Sequence, residues 1–297
     1  MTNIKNFLGP YRLARLIRVG NSCQVWEAIE AESQGRFALK VLREDFRENK
    51  AELSFLRNEF SIANKMEHPN VIKMFELILS GSSPFLVLEL FSELNMKQAL
   101  RRGPDSIAFM LDKILVQCLE GLGHMHSKGF VHCDVKPDNF LCSRTGEVKL
   151  IDFTISQKIK KGIAKIFGGK SKCQGTRSYM SPEQIRGGYL DGRTDIYSLG
   201  CVFYEMVTGK PPFTGENPND LLNKHISAPI PNPMVANDNV NPDFANIIRS
   251  MLSKKPEDRP ETMTGLATTI RAIRLFRKQP QPPETSIFDE FPTAGRM

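Results

Sequence analysis

The chain has 297 residues, 40% hydrophobic and 25% charged, an ordinary globular balance with enough apolar material for one large domain or two lobes. No run approaches the ~18 uninterrupted apolar residues of a membrane span. The opening MTNIKNFLGPYRL also lacks a basic head followed by an apolar stretch, so the expectation is a cytoplasmic chain with no transmembrane segment and no secretory signal. The net charge of +7 is matched by one segment: between Phe153 and Pro182 stand Lys158, Lys160, Lys161, Lys165, Lys170, Lys172 and Arg177, with no acid. A positive excess held in one loop-like stretch does not form a nucleic-acid-binding face.

From Tyr11 to Val41 the chain alternates and is rich in β-branched and aromatic residues, which predicts strands and hairpins. Residues 48–66 read as a helix, with Leu53, Leu56, Phe60 and Ala63 on one stripe. "HPNVIKMFELIL" and "PFLVLELF" read as two further strands joined at "SGSS". After Phe91 the period changes. Ile107, Met110, Leu111, Ile114, Cys118, Leu122 and Met125 predict a helix over 105–127, and further helices are expected near 193–208, 217–225, 242–253 and 260–278. Only "FLC" and "VKLIDF" read as short strands among them. The expected class is therefore α+β: a β-rich lobe with one long helix over residues 1–91, then a larger, mainly α-helical lobe over 92–278. The connector falls near Glu89–Asn95, and residues 279–297 form a proline-rich acidic tail for which disorder is preferred over docking of "SIFDEFP". Cys23, Cys118, Cys133, Cys142, Cys173 and Cys201 show no CxxC spacing, so reduced thiols are expected.

Three stretches carry chemistry. "IRVGNSCQVWEA" is a strand–turn–strand whose single Gly20 can let backbone N–H groups approach phosphate, although one such glycine is an ordinary turn residue when taken alone. "FALK" ends a strand on Lys40, and Glu59 on the following helix is placed to pair with it. "VHCDVKPDNF" can be read as a Cys133–His132 nucleophilic pair or as a phosphoryl-transfer loop. Asp134, Lys136 and Asn139 lie within six residues, and Asp152 follows in "VKLIDF". Asn139 and Asp152 together supply the amide and carboxylate oxygens that magnesium favours. Asp134 is then free to orient an attacking hydroxyl and accept its proton.

These motifs, in this order, resemble the eukaryotic-like serine/threonine protein kinases over about residues 11–278. The phosphate loop matches at Gly20, Val25 and Ala28, the nucleotide lysine at Lys40, its helix glutamate at Glu59, and "HPN" follows at 68–70. The catalytic loop matches at His132, Asp134, Lys136 and Asn139, and the metal-binding aspartate at Asp152. "GTRSYMSPE" resembles the end of an activation segment spanning 152–183. "DIYSLG" and Arg259 resemble later structural motifs, with Arg259 the expected partner of Glu183. "VKPDNFL" and "TDIYSLGCVFYEMVTGKPPF" also suit bacterial relatives of that family.

The resemblance implies a bilobal protein-kinase-like fold and transfer of the γ-phosphoryl of Mg-ATP to serine or threonine hydroxyls of a protein substrate, with autophosphorylation. ATP is implied to contact Val19, Gly20, Val25, Ala38, Lys40 and Leu141, with backbone bonds at Glu89–Phe91 behind a gatekeeper at Leu88. Asn139 and Asp152 are implied to hold Mg2+, with Mn2+ an allowed substitute. Asp134 and Lys136 are the implied catalytic pair, served by Lys40 and Glu59. Thr154, Ser171, Thr176 and Ser178 are candidate regulatory positions of the activation segment.

The chain departs from the family pattern at five places. Arg18 and Cys23 stand where the first and third glycines of the phosphate loop belong, so weaker ATP affinity is expected. Cys133 replaces the arginine before Asp134, which removes a cation able to receive an activating phosphate. Thr154 replaces the glycine after Asp152–Phe153 and restricts the backbone there. Ser181 replaces the alanine before Pro182. Ile159, Ile163 and Ile166/Phe167 lie at helical spacing among lysines. That stretch could form a basic amphipathic helix suited to an acidic partner or surface, although a solvated activation segment is the preferred reading. Two rival classes remain beside an active kinase: a nucleotide-binding pseudokinase scaffold, favoured slightly by the altered positions, and a Cys–His hydrolase, which leaves the ATP motifs unexplained.

Overall fold

The computed structural model describes residues 7–80, 83–160 and 174–286. The basic amphipathic stretch around Ile163 and Phe167, Ser171, Cys173 and most of "SIFDEFP" lie outside them. The chain divides into two compact units. The first gathers residues up to Glu67, Ile72–Ser92 and Asp152–Thr154; the second takes His68–Val71, Glu93–Ile151 and the remainder from Ile155.

The first unit is a six-stranded antiparallel sheet and one long helix. Strands β1 (Phe7–Leu8), β2 (Tyr11–Val19), β3 (Cys23–Glu30), β4 (Arg36–Leu42), β5 (Met74–Ile78) and β6 (Phe85–Glu89) lie in the order β1-β2-β3-β4-β6-β5. Tyr11, Ala28, Leu39, Val41, Phe85 and Val87 are buried on one face, where Phe37 and Phe85 meet Tyr11 edge-on. Helix α1 runs Lys50–Ala63 and begins at Asn49, whose side chain accepts from Ala51 N and Glu52 N. Its buried stripe differs from the expected one: Leu56, Glu59, Ile62 and Ala63 are inside, whereas Leu53 and Phe60 are half-buried. A glutamate sits on the buried stripe because it has a cation to meet there.

The expected strand over "HPNVIKMFELIL" shortens to β5. Its first residues join the second unit instead, where the Asn70 side chain donates to Gln117 Oε1 and Val148 O, and Leu150 N donates to Asn70 O. Leucine or isoleucine periodicity does not register such side-chain competition for the backbone.

The second unit is mainly helical. Its longer helices are Leu111–Ser127, Gly192–Thr208, Pro218–Ser227, Pro242–Met251 and Met263–Arg271. The predicted helix over 105–127 is two. Asp105–Ala108 forms one turn, with the Ser106 hydroxyl tied to the Ala99 and Gly103 carbonyls, and the main helix starts only after Met110. The predicted helix over 260–278 stops at Arg271. There the chain turns to bond with Asn239–Asn241 through Asn241 N–Leu275 O and Arg277 N–Asn239 O. "FLC" and "VKL" do pair, as an antiparallel hairpin with Leu141 opposite Lys149. A further short ladder, Gln157–Lys158 against Phe130–Val131, has too few residues to show a period. Among the described residues no helix is long and apolar enough to cross a membrane.

Candidate active site

In the first unit the register of β3 and β4 places Val25 opposite Lys40 and Glu27 opposite Ala38. Lys40 Nζ donates to Glu59 Oε2 at 2.7 Å and to Asp152 Oδ1 at 3.3 Å. Burial acts to lower the ammonium pKa, but the Asp152 and Glu59 carboxylates together outweigh it and hold Lys40 above its ordinary value. Burial pushes the Glu59 carboxyl up, against the pull of Lys40. Lys40 is thus a fixed cation whose charge is matched by two acids 19 and 112 residues away in sequence.

Gly20 lies in the turn after β2, where its N–H donates to Cys23 O at 2.8 Å. A Cβ on Gly20 would approach that carbonyl to 3.2 Å, so close approach, not a left-handed φ, calls for glycine here. Cys23 starts β3 opposite Leu42, and no positive φ occurs there, so its Cβ is accommodated. Val19 at the end of β2 is 56% exposed. Leu88 is buried on β6 opposite Ala38, and Glu89 N donates to Lys73 O. Phe91 is half-buried just beyond β6.

The second unit holds the other candidates. Asp134 Oδ1 accepts from Thr176 N at 2.8 Å and from Thr176 Oγ1 at 2.9 Å, and Asp134 Oδ2 accepts from Lys136 Nζ at 2.5 Å. Lys136 also donates to Thr176 Oγ1 at 2.8 Å. Asn139 Nδ2 donates to Asp134 O at 2.9 Å. The loop is pinned from beneath by buried Asp195, which accepts from His132 N at 2.8 Å and Cys133 N at 3.0 Å. Asp195, on the helix beginning at Gly192, is a positioning group that the sequence marks only through "DIYSLG". Leu141 is half-buried on its strand, and Ser178 lies in a one-turn helix after Thr176. Arg259 and Glu183 form a buried bidentate pair at 2.7 and 2.8 Å.

Cys133 is no nucleophile. It is 5% exposed, packs with Val131, Leu190, Ile155 and Ile159, and takes a bond from Gln157 Nε2 at its sulfur. Burial, reinforced by Asp195, pushes the thiol far up and keeps it neutral. His132 directs its Nε2 to Ile151 O and its Nδ1 to Asp134 N. The Cys–His hydrolase reading therefore has no thiolate and no base. The missing arginine has also been replaced by something definite: an apolar plug with φ +68°.

Each unit, taken by itself, offers an oxygen of the kind that a hard divalent cation favours. Asn139 Oδ1 is buried and accepts no hydrogen bond among the described residues, the condition of an amide oxygen awaiting a cation. Asp152 keeps its carboxylate about one-third exposed at a backbone φ of +68°, an uncommon conformation for a residue with a Cβ.

Comparison with known proteins shows the family. The protein kinase domain family model matches residues 11–269. The chain belongs to the protein kinase family. It is 34% identical over 283 residues to the serine/threonine-protein kinase PknA of Mycobacterium tuberculosis, covering 93% of this chain and 64% of that protein. It is 31% identical over 295 residues to the serine/threonine-protein kinase PknB of the same species, covering 96% of this chain and 45% of that protein. The chain thus spans roughly half to two-thirds of the length of these curated relatives.

Proposed function

We propose that the chain is an active serine/threonine protein kinase that transfers the γ-phosphoryl of ATP to protein hydroxyls, including its own. The observation that carries this is the retention, in bonded geometry, of both halves of the machinery: Lys40–Glu59–Asp152 and Asp134–Lys136–Asn139 with Thr176. A nucleotide-binding scaffold would require neither a positioned Asp134 nor an Asn139 oxygen held open.

Lys40, kept cationic by its two acids, takes the inner phosphate oxygens, and Glu59 fixes where that ammonium points. The residues proposed along the nucleotide are Val19, Gly20, Val25, Ala38, Leu88, Glu89, Phe91 and Leu141. Asn139 and Asp152 would hold a divalent ion, Mg2+ or Mn2+, which when bound would neutralise charge on the phosphates. Asp134 orients the serine or threonine hydroxyl and receives its proton. Lys136 offsets charge on the transferred group, and Thr176 holds the Asp134 carboxylate in its rotamer. Positioning and electrostatics carry the rate because the transition state is loose and highly charged. Cytoplasmic residence and a role in signalling belong to the same proposal, with the lysine-rich segment solvated in preference to docked on an acidic partner or surface.

The test is transfer of labelled phosphate from Mg-ATP to a generic basic protein by the wild type and by Asp134→Asn. The expected loss is about 10²–10⁴-fold with nucleotide binding preserved. A folded wild type that binds nucleotide and transfers nothing would favour the scaffold.

A further inference from the structure

The glycine that the family pattern places after Asp152–Phe153 is here Thr154, and its hydroxyl does not face solvent passively. Thr154 Oγ1 lies 2.5 Å from Asp152 Oδ1, 3.2 Å from Glu59 Oε2 and 3.3 Å from Lys40 Nζ. The same residue's carbonyl accepts from Asn58 Nδ2 at 3.1 Å. Asn58 and Glu59 are consecutive on α1, so one residue grips the helix by its backbone and the charge cluster by its side chain.

A hydroxyl has one proton and two lone pairs. The shortest contact assigns the proton to Asp152, and Lys40 donates to the oxygen. Glu59, already bonded to Lys40 at 2.7 Å, lies within reach as the alternative acceptor. The hydroxyl therefore links the proposed metal carboxylate to the lysine–glutamate pair, a link no glycine can make.

We propose that Thr154 is a positioning residue that couples metal binding at Asp152 to the seating of helix α1. Its hydroxyl sets the orientation of the Asp152 carboxylate, and its carbonyl anchors Asn58. Metal affinity and helix order then rise and fall together. This rests on the kinase reading above for the role of Asp152, but it concerns a residue that the general pattern leaves as glycine.

The experiment uses the full chain with ADP and no phosphoryl acceptor. Free Mn2+ is titrated by electron paramagnetic resonance, and amide hydrogen exchange is followed over Lys50–Ala63. Thr154→Val removes the hydroxyl at nearly constant shape, and Thr154→Ser keeps it without the methyl. The expected result is an Mn2+ dissociation constant raised about tenfold in Thr154→Val, the scale of one hydrogen bond to a charged group, with faster exchange in α1. Thr154→Ser should stay within about twofold of wild type. Thr154→Gly, which adds no methyl against the cluster, reads the same metal loss if valine disturbs the backbone. Equal Mn2+ affinity in wild type, Thr154→Val and Thr154→Gly overturns the proposal, as does a serine variant as impaired as valine, which would mean that only shape matters. A wild type that binds no Mn2+ with ADP would sink the kinase reading itself, a different result from a binding wild type indifferent to Thr154.

Discussion

Replacing Glu183 with alanine should unfold the second unit at markedly milder conditions, and the size of the effect follows from the donors it strands. Arg259 is fully buried in its side chain and uses all five of its N–H groups. Two go to the Glu183 carboxylate at 2.7 and 2.8 Å, and the others to the Ser253, Arg193 and Lys254 carbonyls. The guanidinium also lies 4.9 Å from the centre of the Tyr197 ring. Thr194 Oγ1 donates to Glu183 Oε1 at 3.0 Å. Glu183→Ala leaves two guanidinium donors, one hydroxyl and a full charge without their acceptor.

Loss of one partner from such a pair costs about 3–5 kcal/mol, or roughly 6–20 °C in Tm for a unit of this size. Far-UV circular dichroism, dominated by the helices of the second unit, should report the shift in urea and on heating. Trp26, the sole tryptophan, reports the sheet of the first unit separately. Glu183→Leu combined with Arg259→Leu should recover part of the loss, because neither charge then needs solvation, while the Ser253, Arg193 and Lys254 carbonyls lose their donor. A Glu183→Ala variant within about 1 kcal/mol of wild type, or a double variant no better than the single, would refute the reasoning.

Two further outcomes follow from buried groups in the second unit. Burial, with Lys254 nearby, lowers the His225 pKa to about 4, so the folded state keeps the ring neutral while the unfolded chain protonates it near 6.5. Stability from this residue is complete above pH 6.5 and is lost as pH falls toward 4, by about 3 kcal/mol in all; urea midpoints of His225→Gln should therefore show a shallower acid slope, and an unchanged slope would contradict the assignment. Residues 155–159 are held by the Gln157–Lys158 ladder and by Ile155 and Ile159 packed on Cys133. Phosphatase-treated protein should thus keep most of its initial transfer rate; a phosphatase-treated enzyme that is dead and is revived by an acidic replacement of Ser178 alone would show that a phosphate is required after all.

The fold class and the protein-kinase family were legible because they rest on order and period. The alternation of Tyr11–Val41 marks strands whatever they pack against, and Lys40, Glu59, Asp134, Asn139 and Asp152 stand out as candidates through the order of the motifs that resemble the family. What escaped was set by tertiary bonds. The helix over 105–127 breaks at Met110, whose φ of −120° and ψ of 15° leave the helical region, a turn that apolar spacing does not encode. Glu59 replaces a leucine-like position on the inner stripe of α1 because Lys40 waits beneath it. Cys133 read as an absence, whereas the structure fills the place with an apolar cluster and a left-handed backbone held by Asp195. Thr154 read as a stiffer glycine, and only its position beside Glu59 and Asp152 revealed a use for its hydroxyl.

The proposed chemistry forms phosphoserine or phosphothreonine with Asp134 at the reacting hydroxyl. It is tested most directly by a single-turnover measurement with γ-labelled Mg-ATP and saturating protein acceptor, followed by phosphoamino-acid analysis. Label is expected on serine or threonine, with a burst rate lowered about 10²–10⁴-fold by Asp134→Asn and unchanged nucleotide affinity in that variant. Label transferred equally by wild type and Asp134→Asn, or no transfer by a nucleotide-bound wild type, would contradict it.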